Sequence, residues 1–208
     1  MPEKESYSRL KRVAVYTSPP LSEYLKVTLK VSHNLYASIL PLLLAVQEGK
    51  RTLSEGMRVQ QKVLKNLGVD VEGISLESGA GGGNGDRVTP RATVELLRAL
   101  AKRQDFPAFK AALPILGVDG TLDDVLPADS PARGKAWAKT GTYGDPDLLN
   151  DRMLLRSKAL AGVLTTRAGR NLVFTFFVNE VPQPPNLDTP REGKVLAHLC
   201  EILYENAP

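Results

Sequence analysis

Lys139-Thr140-Gly141-Thr142 sets an ammonium, two hydroxyls and a glycine within four consecutive residues, and Ser32-His33-Asn34 sets a hydroxyl, an imidazole and an amide within three. These are side chains of serine-based acyl transfer, in which a hydroxyl attacks a carbonyl, a base takes its proton, an acid protonates the leaving amine and donors hold the oxyanion. Such a site also needs a nucleophilic serine with its base alongside. The single Ser-x-x-Lys of the chain is Ser8-Arg9-Leu10-Lys11, which lies in a charged terminal segment without the apolar flanks of a buried helix. Short motifs are weak evidence alone: a Lys-Thr-Gly arises by accident in roughly one chain in twenty of this size, and a Ser-x-Asn in more than half. Their setting must carry the reading.

At 208 residues and 42% hydrophobic content the chain can bury one sizeable core or two small ones. The formal net charge of +4 is spread along the sequence, and the densest basic run, Arg9, Lys11 and Arg12, is short. No aromatic residues interleave a basic stripe, so a solvated surface is expected and nucleic acid is not an expected partner. Cys200 is the one cysteine, sits in an apolar helical pattern and reads as a small core residue. The N-terminus, Met-Pro-Glu-Lys-Glu-Ser, lacks the apolar stretch of an export signal, and no segment approaches the roughly 20 apolar residues of a membrane span.

The elements that must position these residues follow from periodicity and punctuation. Val13 to Tyr16 alternates weakly, as a short strand would. Ser18-Pro19-Pro20 predicts a helix start with a serine cap, followed by Leu21, Leu25 and Leu29. Ser32-His33-Asn34 interrupts that helix, and another begins at once with Leu35, Ile39, Leu42, Leu43 and Val46 on its apolar side, so the triplet is predicted to be a helix-to-helix corner. Thr52-Leu53-Ser54-Glu55 matches a capping box for a third helix that Gly68 ends. Ser78 to Asp86 is a glycine-rich loop lacking the Gly-Lys-Ser/Thr ending of a nucleotide cradle, and Thr89-Pro90 caps a fourth helix with Val94, Leu97 and Leu100 inward. A short helix over Phe106 to Leu113 and a turn-rich connection from Leu116 to Thr121 come next. Strands are predicted over Lys135 to Thr142, Ala159 to Arg167 and Asn171 to Asn179, with a tight turn at Ala168-Gly169-Arg170. A last helix, Pro190 to Glu205, places Val195, Leu199, Ile202 and Leu203 on one face. The fold class is α+β: residues 13–130 mainly helical, and 135–208 an antiparallel sheet with a helix lying on it.

In that order, the phrases Ser18-Pro19-Pro20-Leu21-Ser22-Glu23, Lys30-Val31-Ser32-His33-Asn34-Leu35-Tyr36-Ala37, Arg87-Val88-Thr89-Pro90, Leu113-Pro114 with Gly117-Val118-Asp119-Gly120-Thr121-Leu122, and Ala138-Lys139-Thr140-Gly141-Thr142 carry a resemblance. They closely resemble the C-terminal half of the D-alanyl-D-alanine carboxypeptidase/endopeptidase family of low-molecular-mass penicillin-binding proteins, peptidase family S13. The likeness runs from about Val13 to the last helix. It implies part of a penicillin-binding, β-lactamase-like transpeptidase fold, a serine peptidase acting on peptidoglycan stem peptides ending in D-Ala-D-Ala and acylated by β-lactams, and no metal or other cofactor.

The resemblance also implies roles. Ser32 would relay a proton to the leaving nitrogen, and Asn34 would hold the substrate amide. Lys139 would keep the site positive, Thr140 and Thr142 on either side of Gly141 would bind the terminal carboxylate, and the Thr142 backbone N–H would form half of the oxyanion hole. In the family the nucleophile and its lysine lie far upstream, with two strands that complete the sheet, and none of that region is present, so the chain is expected to be catalytically incomplete and to depend on an N-terminal half of the same protein. Two departures stand out: His33 where a small polar residue is usual, and a longer glycine-rich loop before Arg87. The family works outside the cytoplasmic membrane, in the periplasm or its equivalent. A non-catalytic module that binds cell-wall peptides is the alternative function. An uncovered sheet edge and apolar face would leave the isolated chain self-associating or marginally folded.

Overall fold

Each helix begins where its first residues dictate. The computed structural model describes residues 10–184 and 190–207. Helix α1 (Leu21–Lys30) starts with Pro20 as its N-cap and no side-chain cap, so the expected serine cap at Ser18 is not used. A residue preceding proline is driven out of the helical region, which holds Ser18 and Pro19 extended. Helix α2 (Asn34–Gln47) starts after a three-residue corner, Val31 to His33, and α3 (Leu53–Asn66) carries the complete capping box: Glu55 N–H donates to Thr52 Oγ1 at 3.3 Å and Thr52 N–H donates to Glu55 Oε2 at 3.1 Å. Gly68, at φ 77°, stops it. These two helices approach at small residues, since a Cβ at Gly56 would overlap the Pro41 carbonyl.

After a two-stranded ladder, β1 (Ile74–Ser75) with β2 (Arg87–Val88), come α4 (Pro90–Ala101), capped by Thr89, and the short α5 (Phe106–Ala112). The main sheet is antiparallel, in the order β3 (Ala136–Asp147), β4 (Arg152–Thr165), β5 (Asn171–Pro182). Its register sets Lys139 opposite Ala161 and Thr142 opposite Lys158, with a shift at Tyr143/Gly144. The first and second strands run well past the predicted limits at Thr142 and Ala159, because the hairpin continues to a tip where Asp147 pairs with Arg152 at 2.8 Å.

Helix α6 (Pro190–Asn206) lies on one face of this sheet. The core there consists of Ala136, Ala138, Leu160, Leu164 and Phe174 against Leu196, Ala197 and Cys200, with Leu199 and Leu203 partly buried beside them. The contact face is therefore turned from the predicted one: Val195 and Ile202 are 52% and 42% exposed. Small residues at Ala197 and Cys200 let the helix sit close, and that close approach chooses the face over the largest side chains. Cys200 is fully buried, and burial pushes its thiol up to about 12. Residues 13–16 form no strand; they pair with no strand among the described residues, and Val13 is 95% exposed. Among the described residues no helix is long and apolar enough to cross a membrane.

The predicted apolar stripe of α2 is real but uncovered: Leu35 is 64%, Leu43 46% and Val46 61% exposed, while Pro41 and Ala45 are the residues the helix buries. The outer edge of β5 pairs with no strand among the described residues. Each large apolar side chain left in water forgoes roughly 1.5–3 kcal/mol, against a typical net stability of about 5–15 kcal/mol. Light scattering after gel filtration is expected to show concentration-dependent association that weakens when Leu35, Leu43 and Val46 are replaced by serine; a monodisperse monomer with a sharp two-state melt would contradict this. Cys200 is expected to resist alkylation in the folded chain and react on unfolding, and rapid native labelling would contradict its place in the core.

Candidate active site

Ser32 occupies the corner between α1 and α2 at φ 57°, a left-handed conformation that costs a non-glycine residue roughly 1–2 kcal/mol. The corner is held on both sides. Val31 N–H closes α1 on Val27 O at 3.2 Å, and His33 N–H donates to Thr28 O at 3.1 Å. His33 is then the N-cap of α2, its Nδ1 accepting from Tyr36 N–H at 3.3 Å, which leaves the ring proton on Nε2. Its ring stacks on Tyr36 with centroids 4.1 Å apart, and Tyr36 meets Tyr24 edge-on at 5.3 Å. The histidine that departs from the family pattern thus acts as a cap and a stacking partner. Asn34 is exposed in the first turn of α2, and its side chain makes no hydrogen bond among the described residues.

Lys139 reaches this corner from β3, 107 residues along the chain. Its Nζ donates to Ser32 Oγ at 2.9 Å and to Thr140 O at 2.7 Å. Burial, reinforced by the charge of Lys158, pulls its ammonium down to about 8. Next along the strand, the Thr140 and Thr121 hydroxyls are 3.0 Å apart. Thr142 Oγ1 accepts from Lys158 Nζ at 2.8 Å. The Ser32, Lys139, Thr140 and Thr142 positions are thereby drawn to one edge, with Gly141 exposed between the threonines.

The backbone of that edge is free where the site needs it. Leu116 N–H donates to Ala136 O at 2.9 Å and Ala138 N–H to Pro114 O at 3.0 Å, so alternate residues of β3 turn their polar groups outward. By the same alternation the groups of Thr140 and Thr142 point outward. Thr140 O accepts Lys139 Nζ, and the Thr142 N–H turns outward from the strand edge.

Sequence reasoning missed the strut that fixes this edge to the corner. Lys30, the last residue of α1, pairs with Asp119 at 2.6 Å, and Asp119 Oδ1 also accepts from Ile115 N–H at 2.8 Å. The turn carrying Thr121 is consequently clamped to the helix that ends at Ser32. Gly120, at φ 61°, permits the approach, since a Cβ there would come within 2.5 Å of Lys30 O. Gly117-Val118-Asp119-Gly120-Thr121 was visible as a turn, but no local signal gives the partner of an aspartate 89 residues from its lysine.

A cleft of about 830 Å³ opens beside the strand, lined by Gly141, Thr142, Tyr143, Asn84, Arg87 and Phe177 among others. The glycine-rich loop forms one wall. Asp86 closes it internally, accepting from Glu77 N–H at 2.6 Å and Gly83 N–H at 2.7 Å, so a carboxylate occupies the place a phosphate would need. Tyr143 Oη reaches Asn84 Oδ1 from β3, tying loop to sheet. Ser8 lies outside the described residues. Within the described ones, the arrangement can bind an anion, donate to an oxyanion from Thr142 N–H and move a proton through Ser32 and Lys139.

Known proteins share this sequence pattern and this fold. Residues 3–197 match the D-Ala-D-Ala carboxypeptidase 3 (S13) family. A D-alanyl-D-alanine carboxypeptidase of an Actinomadura species is 33% identical over 144 residues, covering 66% of this chain and 27% of that protein. The D-alanyl-D-alanine carboxypeptidase DacB of Haemophilus influenzae is 29% identical over 182 residues, covering 86% of this chain and 35% of that protein. The chain thus spans about a third of the length of the curated relatives it matches. The crystal structure of penicillin binding protein 4 (dacB) from Haemophilus influenzae superposes with a TM-score of 0.72 at 25% identity, over 89% of this chain and 40% of that one. An extended-spectrum β-lactamase, TLA-1, shares the fold at a TM-score of 0.59 and 16% identity, over 88% of this chain and 63% of that one. With its fold shared by the penicillin-binding and β-lactamase serine hydrolases and its family match running almost from end to end, this chain belongs to the D-Ala-D-Ala carboxypeptidase 3 (S13) family.

Proposed function

We propose that this chain is the C-terminal, substrate-holding part of a serine D-Ala-D-Ala carboxypeptidase/endopeptidase that acts on peptidoglycan stem peptides and is acylated by β-lactams. The observation that carries this reading is the 2.9 Å contact from Lys139 Nζ to Ser32 Oγ beside the outward N–H of Thr142. A solved relative is complexed with a β-lactam, which supports the ligand class.

The chemistry follows from donor and acceptor roles. An ammonium can only donate, so Ser32 Oγ accepts from Lys139 and its own proton is free to be given away. As the peptide C–N bond breaks, that proton passes from Ser32 Oγ to the leaving amine nitrogen, and Ser32 recovers one from Lys139, whose ammonium, lowered to about 8, is acidic enough to share it. Positioned transfer of this kind contributes about 10²–10⁴ in rate. Thr142 N–H supplies one oxyanion donor. Thr140 and Thr142 receive the terminal carboxylate, and Asn34, exposed at the start of α2, is placed to meet the substrate amide.

The nucleophilic serine and its base are assigned to an N-terminal half of the same protein, whose docking would cover the α2 stripe and the open β5 edge. The export that peptidoglycan access requires is assigned to that half as well. Without it the chain binds but does not turn over. Intact-mass spectrometry after incubation with penicillin is expected to show an unmodified chain for both wild type and Ser8→Ala; a penicilloyl adduct abolished by Ser8→Ala would make this a miniature complete enzyme and overturn the assignment.

The depressed ammonium of Lys139 gives a second expectation. A peptide carboxylate is already ionised near neutrality, so the group whose charge changes on going alkaline is Lys139, positive below about pH 8 and neutral above it. Affinity for acetyl-D-Ala-D-Ala should be level below pH 8, fall as the pH rises through it, and be weak and pH-independent in Lys139→Ala. An affinity that increases above pH 8 would refute the role given to this lysine.

A further inference from the structure

Lys158 belongs to none of the motifs that mark the site, yet the register of β3 and β4 sets it directly opposite Thr142. Its side chain is half-buried on the face of the sheet that α6 covers, and its Nζ lies 2.8 Å from Thr142 Oγ1. An ammonium has three protons and no lone pair, so in this contact the threonine oxygen is the acceptor. The hydroxyl proton of Thr142 must then point elsewhere. A threonine left to itself can rotate its hydroxyl to present either a lone pair or a proton; here one of those choices is taken by the lysine.

Thr142 itself lines the 830 Å³ cleft, and a second, smaller hollow lies beside Thr140 and Lys158. This hollow of about 180 Å³ lies between the turn at Gly120–Leu122, strands β3 and β4 and the first turn of α6, lined by Thr121, Thr140, Asp124, Lys158, Gly193 and Lys194 among others. It is smaller than the roughly 300 Å³ at which pockets for drug-sized ligands begin, a size for the end of a peptide and not its body. Thr140, with its hydroxyl 3.0 Å from that of Thr121, faces the same hollow. Lys139 stands on the opposite face of the strand, so two ammonium groups flank one stretch of backbone, and neither forms a salt bridge among the described residues. Burial holds Lys158 below the ordinary lysine range, while the nearby carboxylate of Glu192 counters that shift.

We propose that Lys158 is a positioning and specificity-determining residue: it fixes the Thr142 hydroxyl as a donor and adds the second positive charge that restricts the site to ligands ending in a free α-carboxylate. This rests on the reading of the Thr140–Thr142 edge as a carboxylate site. A neutral C-terminal amide would present N–H protons to a Thr142 hydroxyl already committed as a donor and would gain nothing from either ammonium, so acid and amide are discriminated by both polarity and charge.

The test titrates the 208-residue chain with acetyl-D-Ala-D-Ala and with its C-terminal amide, followed by ligand-observed NMR, for wild type, K158M, K158R and T142V. Wild type is expected to prefer the acid. K158M should lose about tenfold in affinity for the acid, the value of one hydrogen bond involving a charged group, with no change for the amide. K158R should retain the preference, and K158M should have a smaller effect in the T142V background than alone, because the lysine acts through that hydroxyl. K158M binding the acid as wild type does, while Lys139→Ala abolishes binding, overturns the role of Lys158 and leaves the carboxylate site standing. Equal losses for acid and amide reduce Lys158 to a structural part and overturn the proposal. A wild type that does not distinguish acid from amide, or is indifferent to Lys139→Ala, overturns the carboxylate reading and this inference with it. Should K158M fail to fold, K158Q decides, since it keeps a polar side chain and removes the charge: a selective loss for the acid supports the proposal, and an unchanged preference overturns it.

Discussion

The geometry of this site turns on an ammonium held where it is poorly solvated and where, among the described residues, no carboxylate answers it. Lys139 is fixed by a serine hydroxyl and a main-chain carbonyl, both neutral, with Lys158 adding repulsion from the other face of the strand. Protonated lysine in such a place is disfavoured by desolvation and by its like-charged neighbour, and its lowered proton affinity records both. An arriving carboxylate relieves both at once. On the proposed reading, the uncompensated charge that costs stability would supply affinity for such an anion, and the surrounding structure has to prevent the lysine from escaping into water.

That restraint comes from contacts distant in sequence and dense in space. The register of β3 against β4 aims Lys139 at one face and Thr142 at Lys158 on the other. Pairing of Lys30 with Asp119, at side-chain exposures of 16% and 39%, joins the end of α1 to the turn beneath Thr140. Half-buried geometry of that kind makes the pair a distance constraint more than a source of stability, since the Coulomb gain is offset by desolvation. Ser32 remains in its left-handed conformation because α1, the His33 cap and the lysine all converge on it, which is how local strain persists at such a corner.

Much of this was legible in the sequence, and the failures share a cause. Thr52-Leu53-Ser54-Glu55, Thr89-Pro90 and the break at Ser32-His33-Asn34 act within one helical turn, so their partners are neighbours in sequence and their structures could be read directly. Lys158 could not be found that way: it meets Thr142 only through a hairpin whose length depends on a register shift at Tyr143/Gly144 and a tip with no Asn-Gly or Pro-Gly turn signal. Asp119 is hidden for the same reason. The face of α6 was misassigned because periodicity weighs large apolar residues, whereas packing against the sheet selected Ala197 and Cys200, the residues that allow closest approach. Ser18 looked like a cap because proline suits the first turn of a helix, but two prolines in succession hold the residues before them out of the helix, which starts only after Pro20.

The α2 stripe shows what amphipathicity does and does not say. Periodic leucines declare that a face needs cover, and the structure uses the opposite, small-residue face of α2 against α3, leaving the stripe exposed. Among the described residues, the restraints on the Lys139–Thr142 edge are the Ser32 corner, the Asp119 strut, the sheet register and the helix over Leu160 and Leu164. The uncovered surfaces lie elsewhere, on α2 and along β5. Recognition geometry and thermodynamic completeness are thus separable in this molecule. The edge that would hold a carboxylate is built by contacts inside these residues, while the apolar area that would secure them is the area still facing water, so whatever covers it stabilises the site without having to shape it.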